Sequence, residues 1–161
     1  MLQTKPRQAV LERYPDFDGL GVRVMLVRES RARPRYVIST SKDAYELLKD
    51  MARLDREHFV VVAMDVKGLV LGVETVSIGT VSASLVHPRE VMKGCILANA
   101  AKFMVAHQHP SGDPEPSDED ILVTKRLADA GQLLGIPLID HLIIGGDSFV
   151  SLKARGIVGP V

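Results

Sequence analysis

Between His107 and Asp120 the chain reads HQHPSGDPEPSDED. Two histidines one residue apart lie on the same side of an extended chain, because side chains alternate along a strand. Neutral imidazoles are good ligands for zinc and related ions. A catalytic zinc site needs three protein ligands and a fourth position open to water. Asp120 offers a carboxylate in the first turn of the following helix, and the loop carrying Pro110, Gly112, Pro114 and Pro116 can turn back towards the histidines. Its prolines lower the entropy lost in holding ligands in place. His107, His109 and Asp120 are therefore the candidate metal ligands.

The same residues have a reading without metal. Ser117-x-x-Asp120 fits a helix cap in which Asp120 reaches back to the cap residue, a capping box with Asp for Glu. Acidic residues in a first turn also suit the positive end of a helix. The remaining histidines are His58, beside a strand start, His87, placed to help start a helix, and His141, inside an apolar strand next to Asp140. Asp140–His141 reads either as a hydrogen-bonded core pair or as a pair orienting a ligand. Cys95 is expected to be buried on a helix face and inert.

Elements must hold these groups in place. KFMVAH (102–107) is an apolar strand that delivers His107 at its end. Ser117 opens a helix whose stripe is Val123, Leu127, Ala130 and Leu134, and Gly135 stops it. PLIDHLII (137–144) and SFVSL (148–152) are strands around a GGD turn. Upstream, HFVVVAMD (58–65) and LVLGVETVS (69–77) are β-branched strands joined by DVKG, which has hairpin turn chemistry. Pro88 suits a first helical turn, with Glu90 near its positive end and Val91, Cys95 and Ala98 on one face. Ser41 reads as the N-cap of an amphipathic helix over 42–53. GVRVMLVRES (21–30), RYVIST (35–40) and SASLVH (82–87) are further strand candidates. Helices interleaved with buried strands and a hairpin predict a layered α/β (α+β) domain on a mixed sheet.

The 161 residues fit one domain with a short extension over 1–35, and 46% of them are hydrophobic, enough for a core without cross-links. A single cysteine excludes an internal disulfide and a Cys-rich zinc site, and fits a reducing cytoplasm. The first residues lack the apolar run of a signal peptide, and no run is long enough to span a membrane. Net charge is zero, which argues against a dedicated nucleic-acid binder. Residues 1–35 nevertheless hold eight basic and four acidic side chains, so a solvated arm or a weak nucleic-acid contact is expected there. An exposed edge at 21–30 could pair with a second copy and give a homodimer.

His107-x-His109, seven residues, then Ser117-x-x-Asp120 resembles the JAMM metalloprotease signature. The closer similarity is to the RadC-like branch of the JAB/JAMM (MPN+) superfamily. HPSGDPEPSDED matches its core, and VHPRE (86–90), LIDHLIIGG (138–146) and FVSLKARGI (149–157) match its flanking blocks. The resemblance covers roughly 36–158. That branch usually has Asn between the histidines. Here it is Gln108, which should point away from a metal. The long form carries an N-terminal helix-hairpin-helix module; this chain is expected to be the short, domain-only form.

The resemblance implies a JAB/MPN fold, related to cytidine deaminases, with a mixed central sheet between helices. It implies Zn²⁺ on His107, His109 and Asp120. It gives Ser117 a role in binding water or the oxyanion, and asks for a glutamate general base on an early strand. Glu57 is the choice, with Glu74 and Glu90 as rivals. The implied reaction is hydrolysis of a peptide or isopeptide bond, with a peptide or protein substrate. Three other readings stand beside it: a DNA-repair-associated accessory protein without protease activity, a non-catalytic scaffold, and a non-haem iron site built from the same ligands.

Overall fold

Strand β1, His58–Met64, is an unbroken apolar run because both of its faces are covered. Phe59, Val61 and Ala63 face one core, and Val60, Val62 and Met64 face the other. The computed structural model describes residues 24–27, 29, 35–79 and 86–159. A tight turn over Asp65–Gly68 leads to β2, Val70–Ile78, antiparallel to β1. Asp65 Oδ1 accepts from the Lys67 and Leu69 amides, and Gly68 takes φ +83°. A Cβ on Gly68 would lie 2.4 Å from the Ile38 carbonyl oxygen, so glycine is required twice over.

On the other side of β1 lies β3, Lys102–Gln108, antiparallel to it. Strand β4, Leu138–Gly145, runs parallel to β3, and β5, Ser148–Ser151, returns antiparallel. The sheet order is β2-β1-β3-β4-β5. Helix α1, Ser41–Leu48, covers one face through Ala44 and Leu48, which pack with Val60, Met104 and Leu142. A 3₁₀ turn, Lys49–Arg53, continues it. Helices α2, Pro88–Leu97, and α3, Asp118–Leu134, cover the other face through Val91, Cys95, Val123 and Leu127. The expected three-layer α+β arrangement on a mixed sheet is therefore present.

Several local expectations need correction. Thr40, not Ser41, caps α1: its Oγ1 accepts from the Asp43 amide, and Asp43 reaches back to Thr40. The Ser41 hydroxyl donates instead to Asp140 Oδ2 at 2.7 Å. The strand expected at 35–40 reduces to one bridge, Val37 to Leu69, because the Ser39 and Thr40 amides turn to Asp43. Val24–Val27 are exposed and pair with no strand among the described residues. The other residues of the 21–30 segment, except Glu29, lie outside the described residues, as do residues 82–85 of the strand expected at 82–87. His87 caps α2 through its Nδ1, which accepts from the Arg89 amide, so the chain there has left extended pairing. Leu134, expected on the buried stripe of α3, is half exposed at the end of that helix.

Candidate metal centre

Strand β3 ends where the chemistry begins. His107 is its penultimate residue and is fully buried. His109 stands one residue beyond it, held by its amide to the Ile144 carbonyl at 2.8 Å. Both imidazoles point to the α3 side of the sheet, and their Nε2 atoms are 3.0 Å apart. The intervening loop turns back at Gly112, φ +83°, whose amide donates to the His109 carbonyl. It then passes so close to β4 that a Cβ on Gly145 would lie 2.5 Å from the Pro114 nitrogen. Arg155 anchors the loop through a two-pronged ion pair with Glu115.

Helix α3 opens with Ser117 as its cap. Ser117 Oγ accepts from the Asp120 amide at 3.2 Å and donates to Asp120 Oδ2 at 2.8 Å, and the Ser117 amide also donates to Oδ2. This capping box fixes the buried Asp120 carboxylate against the histidines. Asp120 Oδ1 lies 3.1 Å from His107 Nε2, and Oδ2 lies 3.5 Å from His109 Nε2. The cap and the ligand readings of Ser117 and Asp120 are thus compatible: one set of bonds serves both.

The donor set fits a small tetrahedral ion. One carboxylate oxygen and two imidazole nitrogens all lie within 4.8 Å of one another. A tetrahedral ion with bonds of about 2.0–2.1 Å holds its ligand atoms roughly 3.3 Å apart; the two Nε2 atoms, at 3.0 Å, and Asp120 Oδ1 with His107 Nε2, at 3.1 Å, are near that spacing. His109 Nδ1 contacts the Asp113 carbonyl oxygen at 2.7 Å, and a carbonyl can only accept, so Nδ1 carries the proton. The lone pair of neutral His109 is then on Nε2, aimed into the cluster.

The electrostatics describe a site built around positive charge. Burial pushes the Asp120 carboxyl up, but its close contacts with the His107 and His109 rings outweigh it and hold Asp120 far below the usual carboxylate range. The hydrogen bond to Asp120 raises His109, against the effect of its partial burial.

The general-base candidates separate by position. Glu57 is half-buried, immediately before β1, and its charge acts on His109. Phe59, two residues on, pairs with His107 across the sheet. Glu74 lies over α2, where a Cβ on Gly94 would be 2.0 Å from its Oε2. Glu90 is engaged by Arg89 and Lys93 on the surface.

Gln108 points away from the cluster, as its place in the strand requires. It is fully buried and grips the backbone on either side of Glu57. Its Oε1 accepts from the His58 amide at 2.9 Å, and its Nε2 donates to the Arg56 carbonyl. Sequence reasoning gave Gln108 a direction but missed this grip.

Asp140 and His141 do not form a side-chain pair. Asp140 accepts from Ser41, Ser151 and the amides of His141 and Lys153. The His141 ring faces the cluster instead, with Nε2 2.9 Å from His107 Nδ1 and Nδ1 2.6 Å from Thr124 Oγ1. Thr124 was missed; its signal is a hydroxyl one helical turn beyond Asp120 on an otherwise apolar face. His58 Nδ1 contacts the Arg56 carbonyl, outside the cluster. Cys95 is wholly buried, and burial together with the nearby Glu74 charge pushes its thiol up to about 12, consistent with an inert core residue.

Comparison with known proteins agrees with this geometry. The family model described as RadC-like JAB domain matches residues 38–157. A UPF0758 protein of Desulfitobacterium hafniense is 50% identical over 125 residues, covering 77% of this chain and 55% of that relative. One of Bacillus licheniformis is 53% identical over 125 residues, covering 77% and 56%. One of Desulforamulus reducens is 42% identical over 163 residues, covering 94% and 72%. The chain thus spans about half the length of most of these curated relatives, whose shared name states no activity. A three-layer mixed sheet, a His-x-His strand end facing a capped aspartate, and a family match across most of the chain place this protein in the RadC-like JAB domain family.

Proposed function

We propose that this domain is a zinc-dependent hydrolase of peptide or isopeptide bonds, with His107, His109 and Asp120 as the metal ligands. The observation that carries the reading is the convergence of two imidazole nitrogens and a buried carboxylate oxygen within 4.8 Å of one another. A zinc ion bound there supplies Lewis acidity and lowers the pKa of its water towards about 7.

The chain's own residues do the rest. Glu57 takes a proton from the attacking water and returns it to the leaving amine. Its half-buried position, from which its charge acts on His109, supports that role. Ser117 holds Asp120 in place through three hydrogen bonds. For Ser117 to stabilise an oxyanion as well, its hydroxyl proton must turn from Asp120 Oδ2 to the substrate. Its exposure at the mouth of the site leaves room for that rotation.

The alternative, a DNA-repair-associated accessory role, draws on the basic arm over 1–35, which is mostly outside the described residues. No observation among the described residues favours it.

The test is hydrolysis of a panel of peptides and isopeptide-linked conjugates by zinc-loaded protein, read as newly released amines. Glu57→Gln is expected to keep its metal and lose about 10²- to 10⁴-fold in rate. Equal rates in wild type and Glu57→Gln would remove Glu57 from the mechanism.

A further inference from the structure

We propose that Thr124 and His141 are positioning residues that fix which nitrogen of His107 is free to bind metal. This rests on the reading of His107 as a ligand. The three side chains form a chain of hydrogen bonds that runs from the Asp120 backbone carbonyl to the His107 ring, whose far nitrogen stands beside the Asp120 carboxylate.

The direction of that chain follows from its end. The Asp120 backbone carbonyl can only accept, and Thr124 Oγ1 lies 2.6 Å from its oxygen, so the Thr124 proton sits there. Thr124 then has no proton left for His141, whose Nδ1 is 2.6 Å away, so His141 Nδ1 must donate. The His141 ring is fully buried, and its polar contacts are Thr124 and His107. As a neutral ring it accepts at Nε2, so His107 Nδ1 donates across the 2.9 Å contact. Nε2 is then the one nitrogen of His107 with a lone pair, and it is the atom beside the Asp120 carboxylate.

The arrangement does more than orient one ring. His107 stands on β3, His141 on β4 and Thr124 on α3, one helical turn from Asp120. The backbone of one ligand therefore sets the tautomer of another, through the two elements between them. Phe59 stacks on His107 at 5.9 Å and meets His141 edge-on at 5.5 Å, which restricts both rings. With the hydroxyl removed, His141 can reverse its tautomer. Its Nε2–H would then donate to His107 Nδ1, and the His107 proton would move to Nε2, facing Asp120. That state competes with metal for the same lone pair.

The experiment is long-range ¹⁵N–¹H NMR of the histidine rings, with zinc titrated against a chromophoric chelator, on wild type, Thr124→Val and Thr124→Ser. In wild type, His107 Nδ1 is expected to carry a proton with and without zinc. Thr124→Val, nearly the same shape, should move that proton to Nε2 in the zinc-free protein and weaken zinc binding about 10- to 100-fold. Thr124→Ser keeps the hydroxyl and should restore both readouts. An unprotonated Nδ1 on wild-type His107 would overturn the inference without recourse to any variant. So would zinc bound equally by all three proteins, or a serine variant as impaired as the valine one. Absence of zinc binding in wild type would overturn the metal reading itself, and the inference with it.

Discussion

At the scale of single residues, the cluster is held by charge as much as by shape. Asp120 stays ionised far below its ordinary range, and His109 gains a proton more readily than a free imidazole. Both shifts have a consequence for the metal-free protein. A raised His109 contributes stability that is full below the unfolded value of about 6.5 and is lost as pH rises through the folded value. A depressed Asp120 contributes stability that is present above about 3.8 and is lost only in strong acid. The His109 contribution is therefore lost from pH 6 towards pH 9, while His141, held down by burial, contributes in the opposite sense. The expectation is a difference: metal-free wild type should lose more melting temperature, or gain less, over this range than Asp120→Asn. Thermal unfolding across this range checks it; equal slopes in the two proteins would contradict the pairing. The histidines and Asp120 were legible in the sequence because alternation and a helix start fix their directions locally. The partners of His141 were not. Asp140 is adjacent in sequence, but on a strand adjacent side chains face opposite sides, and the true partners come from β3 and α3.

Among the secondary-structure elements, the junction between β3 and β1 matters most for Glu57. Gln108 is gripped on both sides by backbone that flanks that glutamate. Gln108→Ala would take the partner from the part-buried His58 amide, a cost of about 1–3 kcal/mol, while the Arg56 carbonyl keeps its contact with His58 Nδ1. It should retain metal, because its side chain faces away from the ligands, yet lose hydrolysis as Glu57 loosens. Metal content measured beside rate separates the two effects; loss of metal along with rate would contradict the assignment. The loop gives a second expectation. Gly145→Ala would push its Cβ into the Pro114 backbone, displacing the segment that carries the Asp113 carbonyl to His109. Zinc affinity should fall, by chelator competition, and an unchanged affinity would contradict the packing. The strand and helix cores were readable because apolar runs and caps are local signals. The edges were less so. Val24–Val27 alternate like a strand but pair with none among the described residues, and Thr40 displaced Ser41 as cap because Ser41 has a better partner, Asp140, 99 residues away.

Across the whole molecule, the fold is a device for bringing a strand end and a helix start together. The central strands β1, β3 and β4 are buried on both faces, by α1 on one side and by α2 and α3 on the other, so β3 and α3 cannot drift apart without opening the core around Phe103, Val123 and Leu127. Among the described residues no helix is long and apolar enough to cross a membrane. The mixed topology was legible only as a class, since strand order depends on contacts between segments far apart in sequence, such as β3 with β4. The central claim is that this scaffold holds one metal ion. Elemental analysis of wild type beside His109→Ala and Asp120→Ala, purified without added metal and again after incubation with zinc, tests it most directly. The account predicts about one zinc per wild-type chain and little in either variant. No metal in wild type, even after zinc is offered, would contradict it and leave Ser117 and Asp120 as a helix cap alone.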